Sequence, residues 1–121
     1  MDAKEMIKRT RQFGDDCIDL CGSLNGSYLK NHIRGQLIRS SASTSSNYRA
    51  ARLAQSKASF ISKISIVVEE ADESAMWLEM IIDKNPMPAS SSKELIRLKN
   101  EAIELTSILI ATRNTMMINK S

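Results

Sequence analysis

Residues that interrupt helices are scarce in this chain. Its 121 residues include only four glycines and two prolines, and its large aromatic residues are one tryptophan, two tyrosines and two phenylalanines. Apolar residues nevertheless make up 42% of the sequence. This combination of few helix breakers, few aromatic residues and ample apolar content predicts an all-α protein.

The sequence also lacks any apolar run close to the roughly 18 residues that a membrane-spanning helix requires. The segment 1–5 has neither the basic region nor the apolar region of a signal peptide. We therefore expect a soluble, cytoplasmic protein with no membrane association. A length of 121 residues suits a single domain, spanning 1–121, with a core of its own.

Metal ligands and catalytic motifs are equally scarce. His32 is the only histidine, whereas the di-iron sites of four-helix bundles need two Glu-x-x-His motifs. Cys17 and Cys21 fall on neighbouring positions of a helix, and we expect them to pack in the core because a metal site needs more ligands. No glycine-rich phosphate loop, HExxH motif or nucleophile elbow occurs. We expect no catalysis, no metal and no cofactor.

Acidic residues are absent from residues 20–68, which we call the acid-free stretch. Its seven cations are Lys30, Arg34, Arg39, Arg49, Arg52, Lys57 and Lys63. The net charge of +3 therefore conceals a basic middle between more acidic ends. A one-signed stretch of this length favours an anionic partner, most simply nucleic acid.

Two helices are predicted in the first half of the chain, from about Ala3 to Leu24 and from about Tyr28 to Ala54, separated by a stop and a turn at Gly22 and Gly26. The first inner stripe is Met6, Thr10, Phe13, Cys17, Leu20 and Leu24. The second is Ile33, Leu37, Ser40, Thr44, Tyr48 and Ala51. The serine-rich segment 40–46 resembles a flexible linker in composition, but it keeps the helical period without Gly or Pro, which favours close helix packing.

The second half predicts two more helices, one over Ser56 to Lys84 and one capped by Ser90, Ser91 or Ser92, with segment 85–88 between them. The inner stripe of the third is Phe60, Ile64, Val67, Ala71, Ser74, Leu78 and Ile81. That of the fourth is Leu95, Leu98, Ala102, Leu105, Leu109, Thr112 and Met116. Second stripes follow at heptad spacing, Ile61, Val68, Ala75 and Ile82 on the third and Ile96, Ile103, Ile110 and Met117 on the fourth.

Four helices with short connections predict an antiparallel up-down-up-down four-helix bundle. The second stripes on the third and fourth helices provide more apolar surface than an isolated bundle needs. We expect a contact between subunits of a homo-oligomer to cover it. The alternative is a broad core within the monomer.

Five of the seven cations form the candidate nucleic-acid-binding surface: Lys30, Arg34, Arg49, Arg52 and Lys57. On a helical wheel, Arg34 and Arg52 project together and away from the centre of the inner stripe. Arginine can bind phosphate through a bidentate fork. One alternative is that these cations form ion pairs with the acids of the third helix, which are Glu69, Glu70, Asp72, Glu73 and Glu79. The other is an acidic protein partner.

Two motifs resemble a known family. Residues 38–49, with the sequence IRSSASTSSNYR, look like the second helix of a bacterial four-helix-bundle family, the proteins encoded in 23S rRNA intervening sequences. Residues 60–73, with the sequence FISKISIVVEEADE, followed by Trp77-Leu78-Glu79, look like its third helix. The match spans roughly residues 7–83. The chain also resembles the accessory variability proteins of diversity-generating retroelements.

The resemblance implies an antiparallel four-helix bundle that assembles as a ring-like homopentamer. For the retroelement relatives it also implies a basic surface that binds nucleic acid and a reverse transcriptase, and it implies no catalytic residues. Where the family often has a glutamate soon after the Asn-Tyr pair, this chain has Arg49-Ala50-Ala51-Arg52, which makes its surface more basic.

Two functions are therefore predicted. The first is a non-catalytic, oligomeric protein that binds the backbone of RNA or DNA through the cations of the second helix. The alternative is a structural or adaptor protein that forms a homo-oligomer and engages a protein partner. In that alternative the basic residues form salt bridges between subunits, and Arg39 and Lys63 pair with acids of the third helix.

Overall fold

The structure is a computed structural model that describes residues 1–84 and 87–119. Its elements are α1 (Ala3–Cys21), α2 (Tyr28–Arg52), α3 (Lys57–Lys84), a 3₁₀ turn (Ala89–Ser91) and α4 (Ser92–Ile118). Each helix packs against the next in the chain, and α1 makes a smaller contact with α4. No strand occurs in the described ranges. The predicted all-α fold, an antiparallel up-down-up-down four-helix bundle, is confirmed.

The first helix is capped as its sequence allows. The carboxylate of Asp2 accepts a hydrogen bond of 2.8 Å from the backbone N–H of Glu5. The predicted inner stripe is buried throughout, including Leu24, which lies beyond the end of α1 and still packs in the core. In the connection to α2, Gly26 has a φ of +96°, a left-handed conformation that favours glycine.

The serine-rich centre of α2 is helical and lies in the core. Ser40, Ser41 and Thr44 are fully buried. α1 approaches α2 here at Gly14, where an added Cβ would lie 3.3 Å from the carbonyl oxygen of Ser41. On the α3 side, the hydroxyl of Ser74 lies 2.8 Å from that of Ser40. The small side chains thus let α2 approach both of its neighbours, and the linker alternative is excluded.

The third helix lies between α2 and α4, and both of its apolar stripes contribute to the core. The inner stripe is buried except for Phe60, which is half-buried. In the second stripe, Val68 and Ala75 are buried, and Ile61 and Ile82 are half-buried. The extra apolar surface of α3 is therefore covered largely within the monomer, as the broad-core alternative predicted for this helix.

The second stripe of α4 remains open to solvent. Ile96, Ile103 and Met117 are 49%, 46% and 59% exposed, and Ile110 is half-buried. α4 packs against α3 and, less extensively, against α1. Neither of these helices covers the heptad stripe. An apolar face at strict heptad spacing is thus unpartnered on the last helix.

Ion pairs join the first helix to the last. The guanidinium of Arg9 on α1 lies 2.7 Å from Glu101 and 3.1 Å from Glu104 on α4. In the reverse arrangement, Arg97 on α4 lies 2.9 Å from Asp16 on α1. These pairs close the bundle along the side where the two helices share the least packing.

The start of α4 differs from its prediction. Ser91 occupies the N-cap position, but its side chain makes no capping hydrogen bond to a described residue. The 3₁₀ turn leaves Ser91 in a helical conformation (φ −90°, ψ −7°), whereas a capping serine adopts an extended one. Of the predicted helix-ending segment 85–88, residues 85 and 86 lie outside the described residues. Within the described ranges, none of the helices has the length and apolar content needed to cross a membrane.

Candidate functional site

The five cations predicted to bind nucleic acid fall into two groups. Lys30 and Arg34 lie in the first two turns of α2, whereas Arg49, Arg52 and Lys57 lie around the α2–α3 connection. Arg34 and Arg49 are separated by about 22 Å along the helix axis, given the helical rise per residue. Arg34 and Arg52 are five full turns apart and therefore lie on the same side of α2. The two groups are thus separate but aligned.

Arg52 and Lys57 share a surface depression of about 400 Å³ where α2 ends and α3 begins. Phe60 and Met116 also line it. The guanidinium carbon of Arg52 lies 6.0 Å from the centre of the Phe60 ring, the geometry of a cation–π contact. The guanidinium thus lies near the ring and remains exposed to solvent.

Arg49 lines a different depression, a groove of about 420 Å³ between α1 and α2. Its floor includes Gly14 and Ala42, and Arg11 and Asp15 border it from α1. Arg11 pairs with Asp15 over 3.1 Å, one helical turn along α1. Arg49 is exposed and forms no ion pair with another described residue.

Lys30 and Arg34 are half-buried at the N-terminal end of α2. Ser27 caps this helix through its hydroxyl, which accepts a hydrogen bond of 3.1 Å from the backbone N–H of Lys30. The first turns of α2 and α3 contain no acidic residue. The N-terminus of a helix carries a partial positive charge. Lys30 and Lys57 add their own positive charge at the starts of α2 and α3, and no carboxylate in the same turn offsets it.

Arg39 differs from the five candidate cations because it forms ion pairs within the protein. Its guanidinium contacts Glu73 and lies 3.0 Å from Glu70, both on α3. The indole N–H of Trp77 donates a hydrogen bond of 3.0 Å to the same Glu73. Partial burial raises the pKa of Glu73, but the bonds from Trp77 and Arg39 outweigh it and lower that pKa below its ordinary value. Arg39 therefore serves to join α2 to α3.

The other six cations of the acid-free stretch form no ion pair with residues 1–84 or 87–119. They include Lys63, for which the adaptor alternative predicts a salt bridge between subunits rather than within one. The first acids after Lys63 on α3 are Glu69 and Glu70, more than one and a half turns away, which is beyond the reach of a pair along one helix.

A cluster of rings, which the sequence did not reveal, lies at the N-terminal end of α2. Tyr28 stacks on His32, and His32 meets Trp77 of α3 edge to face. We call these three residues the ring cluster. The spacing of four between Tyr28 and His32 is visible in the sequence, but only the packing of α2 on α3 brings Trp77 to them.

The two cysteines lie in the core as predicted. Burial raises the pKa of the Cys17 thiol, and the neighbouring Cys21 raises it further. Burial likewise raises the pKa of Cys21 to about 11, partly offset by Arg34. The Cys21 thiol lies 3.9 Å from the backbone carbonyl oxygen of Arg34 and donates a weak hydrogen bond to it. Within the described ranges, no three His, Cys, Asp or Glu side chains gather to hold a metal ion.

Comparison with solved structures supports a resemblance at the level of a family. No family model matches the chain, and no curated protein matches it either. A solved structure that matches is that of a protein with unknown function from the S23 ribosomal protein family of Bacteroides thetaiotaomicron. The chains are 26% identical and superpose with a TM-score of 0.82, covering 94% of this chain and 99% of the other. In fold and at the family level, this chain therefore resembles a member of the S23 ribosomal protein family.

Proposed function

We propose that this protein binds the phosphate backbone of nucleic acid, without catalysing a reaction, through Lys30, Arg34, Arg49, Arg52 and Lys57. One observation carries the proposal: each of these cations lacks an acidic partner among the described residues. Of the arginines outside the acid-free stretch, Arg9, Arg11 and Arg97 are paired. Cations that form no ion pairs within the protein are free to contact phosphates.

The arrangement suits a backbone rather than a base sequence. The two groups lie about 22 Å apart along one side of α2, a separation set by the helical rise, so one strand could reach both. Contacts of this type position a nucleic acid and convey little sequence information. Each phosphate contact releases condensed counterions, so the affinity should fall steeply as the salt concentration rises.

We further propose that the protein is a homo-oligomer that joins its subunits through α4. The exposed residues Ile96, Ile103 and Met117 lie on a face whose intervening residues, Asn100, Ser107 and Asn114, are uncharged. A helix face without charges is unusual on a solvent-exposed surface. The resemblance to the intervening-sequence proteins implies five subunits, and a ring would repeat each weak basic group and raise the overall avidity.

Kinship with the proteins of 23S rRNA intervening sequences, and with the accessory variability proteins of retroelements, is part of this proposal. The structural similarity to an S23-family protein supports the first of these relations. If the second holds, a reverse transcriptase is a candidate protein partner. A gene lying within an rRNA operon or beside a reverse transcriptase gene distinguishes the two relations.

The first experiment measures binding of the purified protein to a structured RNA and to a DNA duplex at several salt concentrations. Substituting both Arg49→Ala and Arg52→Ala should reduce the slope of log affinity against log salt by about 1.8 on the DNA duplex, the value for two lost phosphate contacts. The matched control is Lys93→Ala with Lys99→Ala, which removes the same charge from α4. An unchanged slope in the Arg49/Arg52 variant, or an equal change in the control, contradicts the assignment of these arginines.

The oligomer is tested separately by Ile103→Lys. The substitution puts a charge on the exposed stripe of α4 without touching the core, so the monomer should keep its helical circular dichroism while the mass in solution falls. Ala111→Lys, also at an exposed position of α4, is the control. An Ile103→Lys variant with the mass of the unmodified protein removes this face from the interface.

The pairs that Arg39 forms with Glu70 and Glu73 lie within one subunit, whereas the adaptor alternative predicts salt bridges of Arg39 between subunits. If such pairs hold the assembly together, Arg39→Glu should reduce the mass in solution. Arg39→Gln provides a milder test that does not reverse the charge. An oligomer that survives both substitutions while nucleic-acid binding persists counts against the adaptor alternative.

A further inference from the structure

The groove between α1 and α2 contains a buried hydroxyl group that has no partner. Ser45 lines this groove and is only 7% exposed. Its neighbours Ser41, Thr44 and Ser46 each donate a hydrogen bond to a backbone carbonyl of α2, whereas the Ser45 hydroxyl forms none with the described residues. Among those residues, every side-chain oxygen or nitrogen that is fully sealed from solvent has a partner, so the Ser45 oxygen opens onto the groove. A ligand in the groove could supply the missing partner.

Small residues give the groove its depth. Gly14 on α1 has no side chain, and Ala42 on α2 has only a methyl group. The two helices approach closely here, since an added Cβ at Gly14 would lie 3.3 Å from the carbonyl oxygen of Ser41. The longer side chains of Ile18 and Arg49 form part of the border. The volume of about 420 Å³ is within the range of pockets that hold small ligands, which is enough for one sugar–phosphate unit.

The charge of the groove favours an anion. Arg49 follows Ser45 by four residues, so the two side chains lie one turn apart on the same flank of α2. Arg49 is exposed and forms no ion pair with the described residues. Asp15, the acid among the lining residues, is paired with Arg11 over 3.1 Å. The positive charge of Arg49 is therefore not offset at the groove.

The groove lies between the two groups of candidate cations. Arg34 precedes Ser45 by eleven residues, three helical turns to within about 20°, so both lie on the same flank of α2. Arg52 follows Ser45 by seven residues, two turns to within about 20°. The contact of the Cys21 thiol with the carbonyl oxygen of Arg34 places this flank beside α1 at its far end as well. A strand that reaches both groups of cations therefore passes over the groove.

We propose that the groove seats one sugar–phosphate unit of the bound strand, with the Ser45 hydroxyl and the Arg49 guanidinium donating hydrogen bonds to its phosphate. This inference rests on the proposed function and adds the place that the strand occupies on the protein. Phosphate oxygens accept hydrogen bonds, and both side chains can donate them. The sugar lies over Gly14 and Ala42, where a larger side chain would exclude it.

Fluorescence anisotropy of a labelled single-stranded oligonucleotide, titrated with the full chain at low salt, tests the hydroxyl. Ser45→Ala removes it and should raise the Kd about tenfold, the effect of losing one hydrogen bond to a charged group. The matched control is Ser43→Ala. It removes a hydroxyl two residues away, on the opposite flank of α2, and should leave the Kd unchanged.

Ala42→Leu tests the shape of the groove. Position 42 is exposed and leucine favours the helix, so the variant should keep its helical circular dichroism while the groove is filled and binding weakens. Ala111→Leu, at an exposed position of α4, is the control for added bulk. Neither Ser45→Ala nor Ala42→Leu removes a charge, so the slope of log affinity against log salt should equal that of the unmodified protein.

A free nucleoside monophosphate distinguishes a strand from a small ligand with the same chemistry. It carries one sugar and one phosphate but cannot also reach Arg34 and Arg52. It should therefore displace the strand only at concentrations far above the Kd of the strand. A monophosphate that displaces the strand near that Kd would make the groove a small-ligand site and would overturn the proposal.

The outcomes distinguish this inference from the proposed function. If the unmodified protein binds the strand and either Ser45→Ala or Ala42→Leu binds it equally well, the groove is wrong and binding through the cations stands. Equal losses in the matched controls also overturn the groove. If the unmodified protein does not bind the strand at low salt, the proposed function fails and this inference fails with it.

Discussion

The hydroxyl of Ser74 on α3 lies 2.8 Å from the hydroxyl of Ser40 on α2, and both serines are fully buried. Each hydroxyl also lies near a backbone carbonyl of its own helix, that of Glu70 for Ser74 and that of Leu37 for Ser40. The polar atoms are therefore satisfied inside the core. At this point two small side chains, rather than two large apolar ones, set the approach of the helices.

Enlarging this contact should destabilise the protein. Ser40→Leu places a large side chain where Ser74 leaves no space and displaces its hydrogen-bond partner, so we expect a loss of about 1–3 kcal/mol or more in the free energy of unfolding. Ser46→Leu on the exposed side of α2 is the control and should have little effect. Urea unfolding followed by circular dichroism measures both variants. Equal stabilities would show that the contact tolerates a larger side chain.

Two helical glycines should differ in how much alanine changes the stability of the protein. Gly35 has open space around a new Cβ, so Gly35→Ala should raise the free energy of unfolding by about 0.5–1 kcal/mol through helix propensity. Gly14→Ala gains the same propensity, but its Cβ would lie 3.3 Å from the carbonyl oxygen of Ser41, so α1 and α2 must move apart. We expect the Gly14 variant to be the less stable of the two. Thermal unfolding of the two variants measures this difference. A Gly14 variant as stable as the Gly35 variant would mean that α1 moves away from α2 at little cost.

Stability should fall at acidic pH through the carboxylates that are paired with arginine. Hydrogen bonds from Arg97 lower the pKa of Glu94, and those from Trp77 and Arg39 outweigh burial at Glu73. Both pKa values lie below the ordinary 4.5, so the unfolded chain binds protons at a higher pH than the folded one. The stabilisation is therefore present above about pH 4.5 and is lost as the pH falls through the lowered folded-state pKa values.

Glu73→Gln tests this origin, because the amide cannot titrate. Its unfolding free energy should depend less on pH in the acidic range than that of the unmodified protein, as measured by urea unfolding at a series of pH values. Glu69→Gln, at an exposed position of the same helix, is the control. A Glu73→Gln variant with an unchanged acidic profile would assign the acid sensitivity to other groups.

The buried thiols should be unreactive in the native protein. Burial raises the pKa of Cys17 and brings that of Cys21 to about 11, so little thiolate forms at pH 8 and the sulfurs are inaccessible. A colorimetric thiol reagent should react with both cysteines at once in urea and only slowly under native conditions. Ser46→Cys adds an exposed thiol as the positive control. Rapid native labelling of Cys17 or Cys21 would show that the first helix opens readily.

The helical architecture is the part of this protein that its sequence determined. A stripe such as Ile64, Val67 and Ala71 repeats with the helical period, which is a property of neighbouring residues, so helix positions and inner faces follow from spacing alone. The ends of the helices follow less directly from the sequence. A capping signal such as the serines before α4 depends on the local backbone conformation, which the spacing of residues does not specify. The family resemblance and the positions of the cations were also available from the sequence.

Only the tertiary structure decided which residues meet across helices. It paired Arg39 with acids 31 and 34 positions away, separated the candidate cations into two groups, and covered the second stripe of α3 while leaving that of α4 exposed. It also brought Trp77 to Tyr28 and His32. The helical period defines the face on which a side chain lies, but its partner depends on how one helix is placed against the next, which is set by the packing of the whole bundle.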